Sequence, residues 1–96
     1  MRGEPRWMPL ASVLRYEGEA AGRGVSKVAR SPRGFLTAYK AAGTASRLDP
    51  YWRRRRRNFV ARHLAQAQAH GEPWYDARGR LTRRALALIM WAFDPR

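Results

Sequence analysis

The sequence predicts an all-α fold, a compact bundle of three main helices at about residues 32–42, 50–70 and 83–93, with one or two short helices ahead of them. Three observations carry this expectation. Ser31-Pro32, Asp49-Pro50 and Thr82 are helix-start signals, each standing just before a stretch with helically spaced apolar residues. Each stretch then meets a stop, at Gly43, Gly71 or Asp94-Pro95. The chain also has 45% hydrophobic residues and 4 Trp in 96 residues, far more large apolar groups than a disordered basic tail carries.

Taken in order, residues 1–9 contain Gly3, Pro5 and Pro9 and read as an extended lead-in that Trp7 and Met8 pin to the body. Leu10, Val13 and Leu14 follow helical spacing and predict a short helix over 10–16. Gly18, Gly22 and Gly24 predict a loop over 17–24, and residues 25–30 read as one helical turn or two. Ser31 as cap and Pro32 at the first helical position open the next helix, whose apolar face is Phe35, Leu36, Tyr39 and Ala42. Asp49-Pro50 opens the long helix, which runs to about His70. Residues 72–80, with Pro73, Asp76 and Gly79, read as a turn or short hairpin before Thr82 caps the last helix. The expected organisation is an N-terminal extension, 1–23, and a basic helical domain, 24–96.

Charge is the dominant compositional feature: 20 Lys+Arg against 7 Asp+Glu, a formal +13. A GC-rich genome accounts for 18 Arg against 2 Lys, but not for so few acids. The excess points to a polyanionic partner. With no Cys there is no disulfide framework, Cys-ligated zinc or Cys nucleophile. The longest apolar run, 85–93, is short of the roughly 20 residues that span a bilayer, so no membrane segment is expected. Arg2 and Arg6 precede no apolar core of a secretory signal.

The run Arg53 to Arg57 resembles a nucleic-acid patch, but at about 100° per residue its side chains encircle the helix. Trp52, Phe59, Val60, His63, Leu64 and Ala67 define the buried stripe, and Arg56 falls in its middle. A buried guanidinium needs a carboxylate, an aromatic face or helix-terminal carbonyls, and Glu17, Asp76 and Asp94 are candidate partners. Arg53, Arg54, Arg57 and Arg62 lie outside the stripe as candidate polyanion contacts.

Arginine also stands where helix N-termini favour acids: Arg33 after Ser31-Pro32, Arg53 after Asp49-Pro50, and Arg83 and Arg84 after Thr82. Such ends facing one way make a phosphate-binding surface. Arg78 and Arg80 around Gly79 extend it, and Trp74 and Tyr75 either stack on a base or seat their loop on the core.

The last helix is apolar almost all round, so it either sits centrally or offers Trp91 and Phe93 as an interface for dimerisation or another protein. His63 and His70 are spaced too widely to chelate one metal. No catalytic constellation, metal site or cofactor is expected.

Three blocks taken together resemble a family: GVSKVARSPRGFLTAY at 24–39, LDPYWR at 48–53 running to HLAQ at 63–66, and TRRALALIMWA at 82–92. They are similar to a small uncharacterised basic domain of phages, large DNA viruses and some bacteria. The resemblance spans about residues 24–93. That family has no assigned activity, so the resemblance implies only a self-contained module and a viral or phage setting. The expected function is non-enzymatic binding of nucleic acid, duplex DNA before RNA, through Arg–phosphate contacts with weak sequence preference. The alternatives are an RNA-binding subunit of a ribonucleoprotein, or a viral protein-interaction module in a virion or on a host enzyme. The expected location is cytoplasmic or nucleoid-associated, with a virion as the other setting.

Overall fold

The structure, a computed structural model, describes residues 4–96, so Arg2 and the start of the expected lead-in lie outside the described residues. The fold is all-α: α1 Leu10–Leu14, α2 Glu17–Gly22, α3 Phe35–Ala42, a 3-10 turn Ala45–Arg47, α4 Pro50–His70 and α5 Arg83–Met90.

The N-terminal region corrects the expected loop. Residues 17–22 are helical despite Gly18 and Gly22, both in open space. Glu17 and Glu19 complement the helix dipole in the first turn, and Ala20 is fully buried, so tertiary packing outweighs the glycine penalty of about 1 kcal/mol each. Gly24, at φ 66°, ends α2 while the Val25 N–H bonds the Ala20 carbonyl at 2.9 Å. Met8, Val13 and Ala20 share one core with α3 and α5, so residues before 23 pack as part of the same body.

The start signal at Ser31-Pro32 is also corrected. α3 begins three residues after Pro32, at Phe35, with Gly34 at the N-cap position and no side-chain cap. The Ser31 hydroxyl donates backward to the Val28 carbonyl at 2.7 Å instead of capping. The cause is close approach: a Cβ on Gly34 would stand 2.6 Å from the Ala29 carbonyl carbon and nearer still to the Val28 and Ala29 oxygens. The loop then supplies what a cap would, the Ala29 carbonyl accepting from Leu36 N–H at 2.9 Å. Residues 25–30 form a single turn closed by Arg30 N–H on the Ser26 carbonyl.

α4 follows its expected bounds. The Asp49 carboxylate accepts from Tyr51 N–H at 2.8 Å, Pro50 occupies the first turn, and left-handed Gly71 closes the helix. Residues 72–82 make a narrow hairpin-like loop with one bridge, Tyr75 to Leu81, in which the Asp76 carboxylate accepts from the backbone N–H of Arg78 and Arg80.

α5 is capped by Thr82 as expected but stops at Met90, before the expected Phe93. Ala92 takes the left-handed position, φ 59°, and Phe93 N–H bonds the Leu88 carbonyl at 3.0 Å. α5 packs on both α2 and α4, and Ala85, Leu86, Leu88, Ile89 and Met90 are fully buried. Its central position settles where its all-round apolar surface goes. The molecule is flat, 38 × 35 × 19 Å, with α4 packed against α3 and α5 and its other face open.

Candidate nucleic-acid interface

Helix geometry sorts the arginine run into separate jobs. Arg56 is fully buried, as its place in the stripe requires. None of Glu17, Asp76 or Asp94 is its partner, because they pair with Lys40, Arg80 and Arg96. Its Nε donates to the Trp91 carbonyl at 2.8 Å, Nη1 to Pro5 at 2.9 Å, and Nη2 to Arg6 and, at 2.9 Å, to Ala92. The guanidinium lies 3.7 Å from the Trp7 ring centroid, so an aromatic face and helix-terminal carbonyls both serve it. Burial pulls its pKa down to about 10, while the Glu4 charge pushes the other way. Arg56 therefore ties the lead-in and the end of α5 to α4, and it is not available to a ligand.

Arg53 forms a two-point pair with Glu4, at 2.7 Å and 3.3 Å, and the bond from Arg53 holds the Glu4 carboxyl below its usual range. Arg54, Arg57 and Arg62 are exposed on α4 and make no hydrogen bond or ion pair among the described residues. Arg55 leans back over Trp52 at 5.2 Å and donates to the Tyr51 hydroxyl. Arg53, Arg54 and Arg57 line a shallow cleft of about 300 Å³ with Glu4 and Pro50.

The helix-start arginines do not form a common surface. Arg33 is exposed but precedes α3, so it is not in a first turn. Arg83 donates to the Arg23 and Gly24 carbonyls, serving the end of α2. Arg84 forms a two-point pair with Glu72 at 2.7 and 3.2 Å and also donates to Gln66 and to Nδ1 of His63. Arg80 pairs with Asp76, whereas Arg78 is exposed with a free side chain among the described residues. Trp74 packs against the core, and Tyr75 is 45% exposed with its hydroxyl accepting from Arg96.

His63 stacks on Phe59 at 4.1 Å, and burial followed by the Arg84 and Arg62 charges lowers its pKa. Accepting from Arg84, it is a neutral ring protonated on Nε2. Trp91 is only 5% exposed, stacked between Phe35 at 4.8 Å and Phe59 at 4.6 Å, so it has little surface to give a partner; Phe93 is half-buried. Among the described residues no cluster of His, Asp or Glu could hold a metal, and no helix is long and apolar enough to cross a membrane.

Two features of this surface were not singled out from the sequence. One is Asn58, exposed on α4 between Arg54 and Arg62, which a helical wheel of residues 50–70 places there. The other is that every side-chain carboxylate has an internal role. The 7 acids divide into Glu4, Glu17, Glu19, Glu72, Asp76 and Asp94 in ion pairs and Asp49 in the α4 cap. No family model, curated protein or solved structure matches the chain.

Proposed function

We propose that the chain is a non-enzymatic nucleic-acid-binding protein that takes duplex DNA through the exposed face of α4. One observation carries this reading: α4, 21 residues long, holds six arginines and no acid, and Arg54, Arg57 and Arg62 stand unpaired on its open side. Exposed helices ordinarily intersperse acids with bases, because opposite charges one turn apart stabilise them and like charges destabilise them. Here the acids lie elsewhere and the repulsion stays uncompensated until a polyanion arrives. Arg33 and Arg78 add outlying positive charge, while Arg53, Arg80, Arg83 and Arg84 are engaged within the fold.

The test is duplex binding across a salt series by nuclease-treated protein. Exchange of Arg57 and Arg62 for Gln weakens binding and flattens the salt slope by about 0.9 per lost phosphate contact, so by up to about 1.8. An unchanged slope would remove α4 from the interface, and weak binding to every nucleic acid would move the charge to a protein contact.

A further inference from the structure

The outer face of α4 is built differently along its middle than along its edges. Arg54, Asn58, Ala61 and Ala65 follow one another within about 60° of arc, all exposed. Arg57 stands about 60° to one side of Arg54 and Arg62 about 80° to the other. The stripe is thus narrow and short-chained beyond its first residue, with a guanidinium on each flank. The charge is confined to the N-terminal half; beyond Arg62 the exposed residues are Ala65, Gln66, Gln68 and Ala69 before His70. The opposite face is fixed by buried Arg56, Val60 and Ala67, which set the helix rotation and hence which residues face outward.

We infer that this face enters the major groove of B-form DNA, with Arg54 and Asn58 reaching base edges and Arg57 and Arg62 contacting phosphates on the two sides. The inference rests on the duplex-binding reading above and adds the groove and the reading residues. Its grounds are size and chemistry. A helix is about 10–12 Å across with its side chains, and the B-form major groove is about 12 Å wide, so a helix fits when its leading residues are small. Ala61 and Ala65 meet that condition, whereas a face led by long side chains throughout would hold the backbone away. Arginine matches the two acceptors of guanine and asparagine the donor–acceptor pair of adenine. The stretch from Arg53 to Arg62 rises about 14 Å, short enough for a straight helix to lie in the groove before the duplex curves away. The neutral C-terminal half of α4 is the part that leaves it. The A-form RNA major groove is deep and narrow and does not admit such a helix.

The experiment uses the full chain, a mixed-sequence DNA duplex, the same duplex methylated at guanine N7, and the matching RNA duplex, at one salt concentration. N7 methylation and the change to RNA each weaken binding by about tenfold or more. Asn58→Ala, at an exposed position with no internal partner among the described residues, keeps the wild-type melting temperature. It changes the base preference recovered when the protein selects from a random duplex pool. DNA binding indifferent to N7 methylation, or equal for RNA, would overturn the groove assignment and leave the binding reading standing. Identical selected sequences from wild type and Asn58→Ala would overturn Asn58 as a reader. Failure to bind any duplex would overturn both readings.

Discussion

Replacing Arg56 separates what holds the fold together from what meets a ligand. Its guanidinium donates to the carbonyls of Trp91, Pro5, Arg6 and Ala92 and lies over Trp7. Ala92 keeps a second donor, Met8 N–H at 2.7 Å, so truncation at residue 56 leaves the Trp91, Pro5 and Arg6 carbonyls without their guanidinium donor. Leaving three carbonyls without a donor costs about 1–3 kcal/mol each, so at least about 3 kcal/mol together. A 96-residue domain has roughly 5–14 kcal/mol in total. Each kcal/mol lowers Tm by about 4–8 °C in a domain of this size, so Arg56→Ala falls by at least about 12 °C.

Two further variants divide that loss by cause. Arg56→Met refills much of the volume but donates nothing, and it remains destabilised by about 3 kcal/mol if unmet carbonyls dominate. Arg56→Lys keeps the charge but cannot reproduce the planar fork, and recovers about half of the loss. The assay is thermal unfolding by circular dichroism, with duplex binding measured well below each midpoint. Wild-type stability of Arg56→Met would show that the side chain acts by volume. A stable Arg56→Ala that binds DNA poorly would place the guanidinium in the interface and refute the clamp.

Four other outcomes follow from the same geometry. Glu4→Gln releases Arg53 beside Arg54 and Arg57, so duplex affinity rises and the salt slope steepens by up to about 0.9; no change would show that Arg53 reaches no phosphate. His63 has a folded pKa below 6.5, so the unfolded chain protonates first as pH falls; its contribution is complete above 6.5 and is lost between 6.5 and the folded pKa. The Tm therefore drops on mild acidification, and His63→Gln removes that step while leaving a later acid loss from Glu4, Glu72, Asp76 and Asp94, whose pKa values are all lowered. Gly34→Ala, forced against the backbone of Val28 and Ala29, costs about 3 kcal/mol in chemical denaturation, and near-neutrality would refute the close packing of that loop. Duplex at a fixed concentration a hundredfold over the low-salt Kd raises stability by about 2.7 kcal/mol; added salt raises Kd and shrinks this increment, so a salt-independent increment would argue against phosphate contacts.

The three main helices were legible because their signals are local. Asp49-Pro50 and Gly71 bound α4, and Thr82 starts α5, as local capping chemistry predicts. Two of the misplaced boundaries are set by distant parts of the chain, and the third by a tight turn within residues 28–34. α5 ends at Met90 with no glycine to mark it, because Met8 N–H and Arg56 draw on the carbonyls of Trp91 and Ala92. Ser31 looked like a cap, but the approach of Gly34 to Ala29 displaces the helix start. α2 forms in a glycine-rich segment because Ala20 has a core to enter, which no window of residues 17–22 contains.

The site divides along the same line. A helical wheel was enough to bury Arg56 and to turn Arg54, Arg57 and Arg62 outward, since position on α4 alone decides that. It could not say which exposed arginines remain free, because that depends on where a few carboxylates fall in space. Glu4 is 49 residues from Arg53, and Glu72 is 12 from Arg84, yet each meets its arginine at 2.7 Å. Acid scarcity makes this sorting decisive: each pairing removes one cation from the surface, and no side-chain carboxylate is left over to neutralise α4. The five consecutive arginines are therefore not one patch. One is a buried clamp, one is held by an acid, one lies over aromatic rings, and two, joined by Arg62, face outward without an internal partner among the described residues.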